Sequence, residues 1–170
     1  MSRTHGFSLV ELLVTLCLLA IALSFAAPAF SELVAAQRTR IALHDLTEAL
    51  LQARATAITT GKPISLAATG STWANGWTLF VDDNNDGIRQ PHERLISVHE
   101  SLEGIEIRPD STSRKYIHYI PRGSSIQQNG AFHAGNLVIC GKSQRSYKIV
   151  INRVGRIRYE SAASTTLCPR

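Results

Sequence analysis

From Leu12 to Ala27 the chain reads LLVTLCLLAIALSFAA, an apolar run broken only by Thr15 and Ser24, and Phe7, Leu9, Val10, Ala29 and Phe30 extend it on both sides. About 20 apolar residues let a helix cross a bilayer. Pro28 is placed to bend or locally unwind such a helix, but no turn residue follows it before Thr59. Leu43, Leu46, Leu50, Ala53 and Ala57 recur at spacings of three and four, while Arg38, Arg40, Asp45, Glu48 and Arg54 lie off that stripe. This is the period of an amphipathic helix with one buried face. A helix from Phe7 to about Thr59 would be roughly 80 Å long at 1.5 Å per residue, and Gly61-Lys62-Pro63 stops it.

The rest of the chain alternates at period two between turn residues. Strands are predicted at Ile64–Ala68, Trp77–Val81, Leu95–His99, Ile105–Arg108, Lys115–Ile120, Leu137–Cys140, Tyr147–Ile151 and Arg156–Tyr159. One long helix followed only by strands predicts an α+β fold in which the helix, a membrane half plus a head half, packs on antiparallel sheet. The length of 170 residues fits a single head, and 11 Gly, 6 Pro and 3 Cys exclude collagen-like, disordered and cysteine-framework classes.

The N-terminal segment admits three readings. A cleaved secretory signal finds some support in Ala27-Pro28-Ala29, which resembles an A-x-A site. An ordinary membrane anchor is the second. Both must accommodate Glu11, since a carboxylate in hydrocarbon costs a few kcal/mol. The third reading gives Glu11 a purpose. Gly6-Phe7-Ser8-Leu9-Val10-Glu11, after the short basic stretch Ser2-Arg3-Thr4-His5, resembles the type IV prepilin signature. That resemblance implies a leader, residues 1–6, removed after Gly6 by the prepilin peptidase, and N-methylation of Phe7. It also implies that Glu11 neutralises the new amine of a neighbouring pilin subunit during filament assembly. Residues 7–30 would then be the helix held in the inner membrane and the filament core, and residues 31–170 a periplasmic head.

Cysteines and histidines offer little catalytic chemistry. Cys17 lies in the apolar run, while Cys140 and Cys168 lie in the head, where an oxidising compartment permits a disulfide; two free thiols are the alternative. His5, His44, His92, His99, His118 and His133 are scattered, with no H-E-x-x-H, G-x-S-x-G, C-x-x-C or P-loop. Neither an enzyme nor a cofactor is expected. Asp82-Asp83-Asn84-Asn85-Asp86-Gly87, with Glu93 after five further residues, has the spacing of a calcium loop. A strand before it and Pro91 within it favour an ordinary Asx-rich hairpin turn instead.

Charge changes the picture more. Residues 1–110 carry 8 Lys and Arg against 12 Asp and Glu, a net of −4, whereas residues 111–170 carry 10 against Glu160 alone, a net of +9. Arg3 and Glu11 cancel within residues 1–30, so the overall +5 belongs to the head. Lys142, Arg145, Lys148, Arg153, Arg156 and Arg158 gather around a terminal hairpin with Gly155 at its turn. In a strand, Arg156 and Arg158 would share one face, on the order of 6–7 Å apart, with Ile157 toward the core. A cationic face free of acids suits sequence-independent, salt-sensitive contact with phosphates; a solvated edge that discourages aggregation has the same composition.

The prepilin start, the strand and loop Trp73-x-x-Gly76-Trp77-Thr78-Leu79-Phe80-Val81-Asp82, the paired late cysteines and Gly155-Arg156-Ile157-Arg158 together resemble the GspH/FimT family of minor pilins and pseudopilins over nearly the whole chain. FimT-type members carry a C-terminal G-R-x-R motif associated with DNA uptake in natural transformation, and Gly155, Arg156 and Arg158 match it. The resemblance implies a minor type IV pilin that binds extracellular DNA, with Lys148, Arg153, Lys142 and Arg145 assisting. A minor pseudopilin of a type II secretion system is the alternative it leaves.

Overall fold

The structure is a computed structural model that describes residues 8–169. Helix α1 (Leu9–Thr60) opens at Ser8, whose Oγ accepts from the Glu11 N–H at 3.1 Å. It closes at Gly61, which takes the left-handed conformation (φ 65°) and returns its N–H to the Ala57 carbonyl, the usual glycine stop. Pro28 lies inside the helix and does not unwind it. Proline removes one i→i−4 hydrogen bond there, and the intact turns on either side carry the backbone through.

The two halves of α1 have opposite surroundings. Its apolar N-terminal window has a mean hydropathy of 2.5, so by length and composition the helix is long and apolar enough to cross a membrane, and no residue of that window is buried. Burial begins at Thr39 and continues through Ala42, Leu43, Leu46, Ala49, Leu50, Ala53 and Ala57. The predicted stripe is therefore the buried face, and its alanines let sheet side chains approach the helix axis closely.

Two antiparallel sheets cover that face. In the first, the order is β3 (Leu95–His99), β2 (Trp77–Val81), β1 (Ile64–Ala68), β5 (Tyr116–Tyr119) and β6 (Ser125–Ile126). In the second it is β4 (Glu106–Pro109), β7 (Gly135–Cys140), β8 (Arg145–Ile151) and β9 (Ile157–Ala163). Ile64, Leu66, Leu79, Val81, Ile117 and Tyr119 of the first sheet and Ile107, Leu137, Ile139, Ile149 and Ile151 of the second complete the core with α1. A short helix, α2 (Ser164–Leu167), brings Cys168 to Cys140, and the two form a disulfide with Cα atoms 6.0 Å apart. The free-thiol alternative is thereby set aside.

Most expected strands match within two residues. The exceptions are β6, α2 and a single 3-10 turn at Trp73–Asn75, which the sequence pattern does not signal, and β9, which starts one residue after Arg156 and runs on to Ala163. That last difference bears on the charged hairpin.

Candidate nucleic-acid interface

The β8–β9 hairpin turns through Asn152–Arg156, beyond the pair Ile151↔Ile157. Asn152 organises the loop. Its Oδ1 accepts from the N–H groups of Val154 (3.1 Å) and Arg156 (2.8 Å), while its own N–H donates to the Arg156 carbonyl (3.0 Å) and its carbonyl accepts from Gly155 (2.9 Å). Gly155 has φ 74°, giving a three-residue loop with glycine in the left-handed position. The loop holds Arg153 and Arg156 outward, both exposed.

The basic residues expected to cluster occupy three separate places. Arg153 and Arg156 are at the tip. Lys148 and Arg158 are on the face of the second sheet turned away from α1, because Ile149↔Tyr159 and Ile151↔Ile157 occupy the helix-facing register while Lys148↔Glu160 and Val150↔Arg158 alternate with them. Lys142 and Arg145 are at the opposite end of β8, about 20 Å from the tip at 3.3 Å per residue, beside Gln144, whose N–H donates to Glu32 on α1.

Two expectations need correction here. Arg156 is in the turn, not in a strand beside Arg158. The face around Arg158 is also not free of acid: Arg158 Nη1 donates to Glu160 Oε1 at 2.5 Å. Because β9 continues past Tyr159, Glu160 falls two residues after Arg158 on the same face, where it also stands opposite Lys148. Among the described residues, no carboxylate lies within ion-pair distance of Arg153 or Arg156.

Two further arginines belong to elements that pack on the hairpin. Arg122 sits in the β5–β6 turn, Pro121–Ser124, exposed, with its Nε on Ser124 Oγ at 3.0 Å. Arg54 of α1 donates from Nε to the Gly123 carbonyl at 2.9 Å and from Nη2 to the Val154 carbonyl at 3.5 Å, tying that turn to the hairpin. The sequence counted both residues as basic and gave no sign that they meet.

The Asp82–Glu93 loop folds over the outer face of the first sheet. Its carboxylates accept hydrogen bonds from the loop itself: Asp82 from Gly87 and Asp86 N–H, Asp86 from Ile88 N–H, and Glu93 from Asp83 and Gln90 N–H. Among the described residues, no group of three or more His, Cys, Asp or Glu is disposed to hold a metal ion. Asp82 is also bonded to Ser65 Oγ (2.5 Å), which contacts His118 Nδ1 at 2.9 Å. Burial opposes ionisation of Asp82, but the hydrogen bonds of His118, Ser65 and the Gly87 N–H and the charge of His118 outweigh it and hold the carboxyl below its ordinary range. These are the residue types of a hydrolytic triad, yet all three are buried and the one hydroxyl proton of Ser65 is donated to Asp82, so His118 is not placed to take it from an attacking serine.

Of the N-terminal residues, Glu11 lies exposed in the first turn of α1. Gly6 and Phe7 lie outside the described residues.

The profile of the family described as Type II transport protein GspH matches residues 42–155, and that of the prokaryotic N-terminal methylation motif matches residues 1–27. No curated protein matches the sequence. Among solved structures, the type IV minor pilin FimU of Pseudomonas aeruginosa is similar with a TM-score of 0.58 at 18% identity, covering 73% of this chain and 89% of that one. The minor pseudopilin EpsH from the type 2 secretion system of Vibrio cholerae is similar with a TM-score of 0.52 at 13% identity, covering 72% of this chain and 96% of that one. With a long helix packed on antiparallel sheet and a methylation motif that runs into the start of that helix, the chain belongs to the GspH family of pilin-like proteins.

Proposed function

We propose that this chain is a minor type IV pilin whose head binds extracellular DNA without sequence preference, as an adhesive subunit for DNA uptake in natural transformation and not as an enzyme. The observation that carries the reading is the hairpin tip, where Arg153 and Arg156 stand exposed on a loop fixed by Asn152 and unpaired among the described residues. Guanidinium groups presented in this way make charge-assisted contacts to phosphate. Arg158 and Lys148 add positive charge along the adjoining face, with Arg158 partly compensated by Glu160. Lys142 and Arg145 contribute at most to long-range attraction.

The N-terminal part of the proposal is supported by the match to the methylation motif. Residues 1–6 are removed by the prepilin peptidase after Gly6, Phe7 is methylated, and Glu11 pairs with the amine of a neighbouring subunit. Residues 7–30 anchor the chain in the inner membrane before assembly, with residues 31–170 on the periplasmic side. The family's description as a type II transport protein supports a second reading, a minor pseudopilin that packs among other subunits of a secretion system.

The test is binding of the full chain, in non-ionic detergent, to unrelated duplexes over a range of salt. Micromolar affinity that falls steeply with salt is expected, with Arg156→Gln weakening binding more than Arg158→Gln and the double variant losing most of it. A double variant that binds like the wild type would remove the site. A wild-type chain that binds no DNA would leave the secretion reading.

A further inference from the structure

The hairpin tip does not stand alone. Gly155 is buried, and a Cβ placed on it would lie 2.3 Å from the carbonyl oxygen of Gly123 and 3.0 Å from the Tyr119 ring. Gly123 in turn rests on α1: its φ is 80°, and a Cβ there would meet Ile58 Cδ1 at 2.8 Å. The β8–β9 loop and the β5–β6 turn thus touch backbone to backbone through two glycines, and Arg54 donates to one carbonyl of each. Consecutive Cα atoms are about 3.8 Å apart, so the Cα atoms of Arg122 and Arg156 each lie one such step along the chain from this contact, on turns that join strands of different sheets. The Arg122 Nε is held by Ser124 Oγ, and the residue is exposed. Among the described residues, no carboxylate lies within ion-pair distance of Arg122.

We propose that the DNA-contacting surface is a platform of two loops, in which Arg122 of the β5–β6 turn grips a phosphate beside the one held by Arg156. The platform rests on the DNA-binding reading above and extends it to a residue outside the G-R-x-R motif. Its logic is preorganisation. Two arginines on separate flexible loops would each have to be ordered on binding, whereas the glycine contact and Arg54 fix both loops before DNA arrives. The ligand recognised is the sugar-phosphate backbone, which presents a negative charge at every nucleotide whatever the sequence and so suits two guanidinium groups carried on adjoining turns.

The salt dependence of binding tests this directly, since each phosphate neutralised on duplex DNA contributes about −0.9 to the slope of log K against log salt. With the full chain in non-ionic detergent and a labelled duplex of arbitrary sequence, Arg122→Gln is expected to flatten the slope by about 0.9 and to weaken binding roughly threefold or more. Arg122→Lys should restore most of the slope. Combining Arg122→Gln with Arg156→Gln should flatten it by about twice as much, while Arg38→Gln, about 24 Å along α1 from Arg54 at 1.5 Å per residue and paired with Glu103, should leave it unchanged. If Arg122→Gln binds with wild-type affinity and slope while Arg156→Gln is weakened, the two-loop platform is overturned and DNA binding by the hairpin stands. If the wild-type chain binds no duplex, both fall.

Discussion

Gly155 carries two constraints that a sequence motif does not separate. Its φ of 74° is one that an L side chain adopts at a cost of about 1–2 kcal/mol, and the space where a Cβ would sit is taken by the Gly123 carbonyl at 2.3 Å. Gly61 supplies the contrast, since its φ is 65° but nothing lies within 4 Å of its Cβ position. Gly61→Ala should therefore lose only the conformational cost. Gly155→Ala should lose that and also force the hairpin away from the β5–β6 turn. A denaturant midpoint lowered by more than in Gly61→Ala, with unchanged m, is expected, together with weakened DNA binding in a variant that alters no charge. Equal losses in the two variants would mean that the glycine contact is not tight in solution. Arg158 makes a related point about single residues: the motif that names it says nothing of Glu160, whose position two residues later on the same face tempers it.

At the scale of elements, what the sequence made legible follows from where periodicity exists. The helical stripe Leu43, Leu46, Leu50, Ala53 and Ala57 is buried throughout, because a long helix repeats its signal many times. Two-residue β6 and four-residue α2 are too short for any period to declare itself. The Glu160–Ala163 stretch of β9 lacks β-branched and aromatic residues, so its extended form depends on pairing with β8. The hairpin of the candidate site was legible for the same reason as the helix, as turn chemistry between apolar alternations. The approach of Arg54 and of the β5–β6 turn to it was not, because contact between distant segments is decided by packing. The Cys140–Cys168 bond secures the least autonomous of these elements: α2 makes the return from β9, and Pro169 accepts from Arg108 on the opposite edge strand of the same sheet. With a sequence separation of 28, closing the loop should stabilise the head by about 3–4 kcal/mol in the chain-entropy treatment. Cys168→Ser should lower the denaturant midpoint accordingly, and reductant should do the same to the wild type while leaving the variant unaffected. An unchanged midpoint would show that α2 and β9 hold without the bond.

Across the whole molecule, the charges proposed to bind DNA and those that govern stability are separate sets. The tip consists of arginines, which stay protonated across the accessible pH range. The groups that respond to acid lie inside the head. Burial holds the His133 imidazole below its ordinary value of 6.5 despite the nearby charge of Asp110. Its stabilising effect is thus complete above 6.5 and is lost as pH falls from there through the lowered folded value, because the unfolded chain takes up the proton first. Burial works against ionisation of Asp110, but hydrogen bonds from Ser113, Thr112 and the Asn136 N–H prevail and hold its carboxyl below 3.8, as the contacts of Asp82 do for that residue. Both aspartates stabilise the fold above 3.8 and cease to do so as pH drops through their folded values. Acid should therefore weaken the head in two stages, one beginning near neutral pH and one below the ordinary carboxylate range. Denaturant midpoints followed over that interval should show the first stage reduced in His133→Gln and the second reduced in Asp82→Asn. DNA affinity at fixed salt should stay nearly level through the first stage for as long as the head remains folded. A fall in affinity that tracks the His133 stage while the head is still folded would place a titrating group at the binding surface, contrary to an arginine tip.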